Sequence, residues 1–259
     1  MKLAAIQHDI AWEQRDVNLT RYSDLLDAAA DGGADMAIFT EMFAVGFSMN
    51  TAVTAETIDG PTVTWMRSQA ARRNVTVCGS VPLYADDARP YNTFVIARND
   101  GVLETYNKMH PFSYSGEDQH FAAGDTGFIT RLNDVRVGIS VCYDLRFAPL
   151  YWQRGPDVDV EIVVASWPNA RREHWITLAR ARAIENQTYV VAVNRVGNGG
   201  GLSYSGDSQI IDPAGQILAQ ANDTETILAA VIDAAVVTKI RAAFPVANDR
   251  REIYPNALA

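Results

Sequence analysis

The chain has 259 residues, 48% of them hydrophobic and 20% charged, an ordinary globular composition with enough apolar material for a sizeable core. Its formal net charge of −9 argues against a nucleic-acid or anionic-membrane surface, since both need basic patches. No apolar run approaches the roughly 20 residues of a membrane span, and the start MKLAAIQHDI has too brief an apolar stretch for a secretory signal. The expectation is therefore a cytoplasmic protein of one domain, residues 1–259, whose partner is a small molecule or a second copy of itself. No linker, charge run, low-complexity tract or fixed-period repeat divides it. Cys78 and Cys142 are expected as free thiols.

Residues 3–10 read as a first strand whose apolar residues give way to Gln7, His8 and Asp9. Asn18 is positioned to cap the helix that follows through Ala30, and Gly32 and Gly33 stop it. Residues 36–39 form a short apolar run of the buried parallel kind, with Thr40 and Glu41 where it ends. Pro61 opens a helix over 62–73. The strand over 75–83 holds Cys78 among valines, where a cysteine is plain core. Residues 92–97 and 102–106 pair as a hairpin about Asn99, Asp100 and Gly101, and the cluster Asn107, Lys108, Met109, His110, Pro111 follows at once. A loop, SYSGEDQHFAAGD, carries Glu117.

Val135, Val137, Ile139 and Val141 alternate as the core face of a strand does, which puts Cys142 at its carboxyl end and Tyr143, Asp144 and Arg146 just beyond. A short helix over 147–153, a buried strand over 161–165 closed by Ser166, Trp167 and Pro168, and a long helix over 173–186 come next. Residues 188–193 lead into a glycine-rich loop at 197–201. It matches neither phosphate-binding pattern and reads as a turn or pocket rim. Stretches 207–212, 215–219 and 226–232 look like an antiparallel set, a helix covers 234–244, and a tail begins at about 245. Alternation early and clustered strands late favour an α/β sandwich with mixed sheets and helices on the outer faces.

Three strand ends each offer an ionisable group, Glu41, Lys108 and Cys142, where open α/β sheets gather their ligands. An unperturbed cysteine, pKa about 8.5, is only a few per cent thiolate at neutral pH, so a catalytic thiol needs a base or a nearby cation. Glu41 can be the base and Lys108 the cation. A Cys/His dyad with His110 is the rival arrangement, and periodicity leaves both open. The cysteines and histidines show none of the paired zinc spacings, so no metal is expected.

FTEMF around Glu41, YNKMHPF around Lys108 and VCYDLRF around Cys142 resemble, in order, the three signatures of the nitrilase superfamily, the carbon–nitrogen hydrolases. ASWP at 165–168, RARAIENQTYVVAVNRVG at 180–197 and GDSQIIDPAGQIL at 206–218 extend the likeness over nearly the whole chain, and CYDLRF with NRVG and YSGDS is most similar to the omega-amidase branch. The resemblance implies a four-layer α-β-β-α sandwich with two mixed β-sheets, pairing into a homodimer or larger assembly. It implies Cys142 as nucleophile, Glu41 as general base, Lys108 with the Tyr143 N–H as oxyanion site, and Glu117 as a second active-site glutamate. The substrate is then a small amide, such as a dicarboxylate monoamide of the 2-oxoglutaramate kind, and no cofactor is needed. A carbamoyl compound, a deaminated peptide, a nitrile, or a silent binding homologue are the other readings. For an anionic amide Arg146 is the nearest cation in sequence, equally able to pair with Asp144, while Phe43, Tyr143 and Trp167 adjoin the motifs as candidate pocket walls. Glu185 and Asn186 are expected to brace their helix against the site.

Overall fold

The computed structural model describes residues 1–85 and 89–251. In chain order β1 (Lys2–Gln7) leads to α1 (Arg15–Asp31), β2 (Met36–Ile38), α2 (Thr51–Thr54), α3 (Pro61–Arg73), β3 (Thr76–Leu83), β4 (Tyr91–Ala97) and β5 (Leu103–Asn107). Then come α4 (Glu117–His120), β6 (Phe128–Leu132), β7 (Val135–Val141), α5 (Ala148–Arg154), β8 (Val160–Ala165), α6 (Arg172–Asn186) and β9 (Tyr189–Asn194). The chain closes with β10 (Val196–Gly199), β11 (Leu202–Ser205), β12 (Gln209–Ile211), β13 (Ile217–Gln220), β14 (Thr226–Val231) and α7 (Ala234–Ala243).

Two six-stranded sheets result, ordered β14-β1-β2-β3-β4-β5 and β13-β12-β9-β8-β7-β6. Each has a parallel centre, β1 to β3 in one and β7 to β9 in the other, with antiparallel strands on both flanks. Side-chain alternation explains the layers. On β1, Leu3 and Ala5 join the core shared with Val137 and Ile139 of β7, whereas Ala4 and Ile6 meet Tyr22 and Leu26 of α1 and Met66 of α3. Trp175, Ala179 and Ala183 cover the second sheet from α6. The architecture is the expected α-β-β-α sandwich.

Several local expectations need correction. Asn18 does not cap α1, which already begins at Arg15; its buried amide instead bonds Ala11 N at 2.9 Å, Ala11 O at 2.8 Å and Ala44 O at 2.9 Å, tying two loops together. Residues 226–232 do not extend an antiparallel set with β12 and β13. As β14 they cross to the other sheet and pair with β1, because alternation specifies a buried face and not which sheet supplies the partner. The helical turn α4 and the β10–β11 hairpin around the glycines lie inside expected loops, and β6, a half-exposed edge strand, stands where no element was expected. The C-terminal segment turns as a 3-10 helix at Val246–Asp249, and its last residues lie outside the described ones. No helix among the described residues is long and apolar enough to cross a membrane.

Candidate active site

Glu41 follows β2, Lys108 follows β5 and Cys142 follows β7, so the first sheet contributes the carboxylate and the ammonium and the facing sheet the thiol. Cys142 has a φ of 47°, in the left-handed region that a non-glycine residue adopts at a cost, and it opens a 3-10 turn over Cys142–Arg146. Such an elbow lifts the sulfur off the strand. It also leaves the Tyr143 N–H in the first turn, where amides have no intrahelical acceptor.

Hydrogen bonds join the cluster. Lys108 Nζ lies 2.9 Å from Glu41 Oε1 and 3.0 and 2.8 Å from the two oxygens of Glu117. Asn92 Nδ2 donates to Glu41 Oε1 at 2.8 Å and to Glu117 Oε1 at 3.1 Å, its own Oδ1 held by Ser80 Oγ at 2.8 Å. The Ser166 N–H donates to the other Glu41 oxygen at 2.8 Å, and the Phe112 N–H to Glu117 at 2.5 Å. Glu41, Lys108 and Glu117 are all at most 1% exposed, and Cys142 is 9% exposed. All four groups that were expected to carry chemistry are brought together, Glu117 included.

Burial pushes the Cys142 thiol well above its ordinary range, and the Glu41 carboxylate pushes it further, against the opposing pull of Lys108. For Lys108 burial works against the charge, but Glu117 and Glu41 outweigh it and hold the ammonium above its usual range. Burial raises Glu117, with Lys108 opposing and Glu41 adding. The resting thiol is therefore neutral, beside the Glu41 carboxylate that disfavours its ionisation. His110 takes another part: its Nδ1 lies 2.8 Å from Asp144 and its ring stacks on Phe147 at 3.8 Å. The ionisable side chain beside Cys142 is therefore the Glu41 carboxylate and not an imidazole.

A cavity of about 260 Å³ opens over Cys142. Tyr143 and Trp167 line it as expected, together with Trp12, Phe47, Phe112 and Tyr204. Phe43 does not. It is 0% exposed and stacks on Phe39 at 4.8 Å in an aromatic core with Tyr22 and Trp65; Phe47, one loop turn later, is the ring that reaches the cavity. Arg146 also lines the cavity, 4.7 Å over the Trp167 ring, with Nη2 3.0 Å from His174 Nδ1. Its alternative role as a partner of Asp144 is excluded by geometry. Asp144 accepts instead from Tyr106 Oη at 2.9 Å, the Val141 N–H at 3.0 Å and the N–H and Nδ1 of His110.

Among the described residues neither Arg146 nor Arg171, a second cavity guanidinium, has a carboxylate partner within salt-bridge distance. Arg172, beside it in sequence, is instead bound to Asp207 at 2.7 Å. Asn92, Ser80, Ser166 and Asp144 were not singled out by sequence as site residues. A polar Asn in an otherwise apolar strand was the available signal for the first. Nor were Glu185 and Asn186 the main brace. That is Arg182, whose Nε and Nη2 donate to Leu145 O at 3.1 and 2.7 Å and so hold the turn after the nucleophile, while Glu185 only pairs with its Nη1.

A buried Glu-Lys-Cys cluster on the facing strand ends of an α-β-β-α sandwich defines a thiol-dependent hydrolase site, with no group among the described residues arranged to hold a metal. Residues 2–242 match the carbon–nitrogen hydrolase family, and the chain belongs to it. It is similar to the omega-amidase YafV of Yersinia enterocolitica, 36% identical over 255 residues and covering 96% of each chain. The 2-oxoglutaramate amidase of Bacillus subtilis is 29% identical, over 97% of this chain and 98% of that one. The crystal structure of XC1258 from Xanthomonas campestris, a carbon–nitrogen hydrolase superfamily protein with an arsenic adduct in its active site, matches with a TM-score of 0.93 at 37% identity, covering 98% of both chains.

Proposed function

We propose that this carbon–nitrogen hydrolase is an omega-amidase that cleaves monoamides of short dicarboxylates, of the 2-oxoglutaramate kind, to ammonia and the diacid. The observation that carries the substrate half is Arg146, a cation beside the nucleophile in an aromatic pocket and without a carboxylate of its own. A half-buried guanidinium with no carboxylate partner among the described residues favours an anionic ligand, and the distal carboxylate of a monoamide is one.

In the cycle, Glu41 takes the thiol proton as Sγ attacks the amide carbon. Lys108 Nζ and the Tyr143 N–H stabilise the oxyanion, an effect typically worth roughly 2.7–4 kcal/mol per donor. The C–N bond breaks as Glu41 returns the proton to nitrogen, and ammonia leaves. Glu41 then deprotonates a water that attacks the thioester; the C–S bond breaks, sulfur regains a proton and the acid departs. Glu117 and Asn92 hold Lys108 and Glu41 in place. The whole chain acts as one catalytic domain, in the cytoplasm, where its free thiols stay reduced. Exposed Ile184, Leu218 and Phe244 support self-association into a dimer, to be read by sedimentation.

Ammonia release from a panel of monoamides, ureido acids and nitriles tests the reading. Turnover is expected on anionic monoamides, and Arg146→Leu should raise their KM by at least about tenfold, the loss of a charge-assisted contact. Turnover confined to ureido acids or nitriles would replace it with another member activity, and none on any compound would leave a silent homologue.

A further inference from the structure

The glycine-rich stretch belongs to the β10–β11 hairpin, in which Gly197 pairs with Tyr204. Gly200 and Gly201 have φ of 56° and 77°, and a Cβ on Gly200 would sit 2.6 Å from the Trp12 ring. Glycine is what allows this hairpin to fold against Trp12 and over the cavity. Its best-defined contribution there is Tyr204, which lines the cavity and is only 5% exposed.

The Tyr204 ring lies 4.4 Å from the Arg195 guanidinium, which is itself buried and bound to Asp9 at 2.8 Å and Asn198 O at 3.2 Å. The ring is thus fixed from behind. Among the described residues no protein group hydrogen-bonds the phenol oxygen, and that oxygen is not one of the polar atoms sealed from solvent, so it is open to a ligand in the cavity. Burial raises its pKa to about 12, with Arg195 opposing, Glu41 and Cys142 adding and Arg171 opposing, so the group is a neutral donor at working pH. Tyr204 lines the same cavity as Cys142, Arg146 and Arg171.

We propose that Tyr204 is a specificity-determining residue whose hydroxyl donates a hydrogen bond to a neutral acceptor on the substrate chain near its carboxylate end, of the 2-oxo type. This rests on the monoamide reading above. With the amide at Cys142 and the carboxylate at Arg146, an acceptor between them is what the phenol completes. A site built to hydrogen-bond a substrate group discriminates against the analogue that lacks it, because the site's own polar atom is then left unpaired.

The test compares kcat/KM on two monoamides of equal length, one with a 2-oxo group and one without, for the unsubstituted enzyme and for Tyr204→Phe. Phe keeps the ring over Arg195 and removes only the hydroxyl. The ratio of the two kcat/KM values should favour the 2-oxo amide in the unsubstituted enzyme and fall about tenfold in Tyr204→Phe. A ratio, unlike an absolute rate, is not moved by a loss of folded enzyme. An unchanged ratio overturns the role of Tyr204 and leaves the monoamide reading standing. If the unsubstituted enzyme cleaves neither amide, the monoamide reading fails and this inference with it.

Discussion

Cys142 is held in a state that cannot attack on its own: buried, neutral and next to a carboxylate that disfavours the thiolate. That makes the base obligatory, and it yields a prediction with opposite signs. Removing the negative charge in Glu41→Gln should lower the thiol pKa and speed alkylation of Cys142 by iodoacetamide at a fixed mildly alkaline pH, while amide turnover is lost. Lys108→Met removes the group that favours the thiolate, so alkylation should slow and its pH profile move upward. Equal alkylation profiles in both variants would remove the electrostatic account. Cys142→Ala should abolish turnover and leave thermal unfolding nearly unchanged; residual steady-state ammonia release would exclude it as nucleophile. At this scale the sequence was most legible. Glu41, Lys108 and Cys142 stand at or just beyond the ends of strands that an apolar run, a hairpin turn and an alternation respectively reveal. Phe43 was misread because adjacency to a motif says nothing about which side of a turn a ring takes.

Among the elements, the contact that keeps the lysine loop in register with the nucleophile turn is Asp144. Its fully buried carboxylate accepts from Val141 behind Cys142 and from His110 beyond Lys108, so it bolts the end of β7 in one sheet to the end of β5 in the other. Asp144→Asn turns one acceptor oxygen into a donor facing N–H groups. It should lower kcat by about 10²-fold with little change in KM, since a displacement of about 1 Å can cost that much. A rise in KM with kcat intact would show that Asp144 serves binding instead. The aromatic layer under α3 is equally checkable. Gly79 on β3 leaves room for Phe43, since a Cβ there would lie 2.7 Å from its ring. Phe43→Ala should cost about 3–5 kcal/mol in denaturant unfolding, with the KM of any folded enzyme unchanged. Strands and helices were legible as periods of two and 3.6; the hairpin that carries Tyr204 was not, since glycines weaken the strand signal while they permit the close approach.

Across the molecule, the second sheet holds an ion pair that no linear pattern announces. Arg154 of α5 binds Glu161 of β8 at 3.0 and 2.6 Å and Ile139 O of the nucleophile strand at 2.6 Å, all of them buried. Gly138, opposite Glu161 in register, makes the space, for a Cβ there would come within 2.6 Å of its carboxylate. Burial raises the pKa of Glu161 even though Arg154 opposes it, whereas at Arg154 the Glu161 carboxylate outweighs burial and holds the guanidinium above its usual range, so the uncompensated desolvation falls on the carboxylate. Glu161→Gln should therefore destabilise by about 3–5 kcal/mol, whereas replacing both partners with apolar residues of similar volume should be close to neutral. Chemical denaturation of the single and double variants distinguishes these outcomes, and equal destabilisation by both would refute the argument.

The sequence by itself determined the layers, the strand ends and the chemical identity of the reacting groups, because period, turn residues and short motifs are local properties of the chain. Only the tertiary structure decided that β14 joins β1, that Asp144 serves the nucleophile turn and leaves Arg146 to the cavity, and that Trp12, Phe47, Phe112, Trp167 and Tyr204 line one cavity. Those contacts join residues far apart in sequence. They are set by how two sheets pack and how their loops fill the space between strand ends, which no single stretch of the chain encodes.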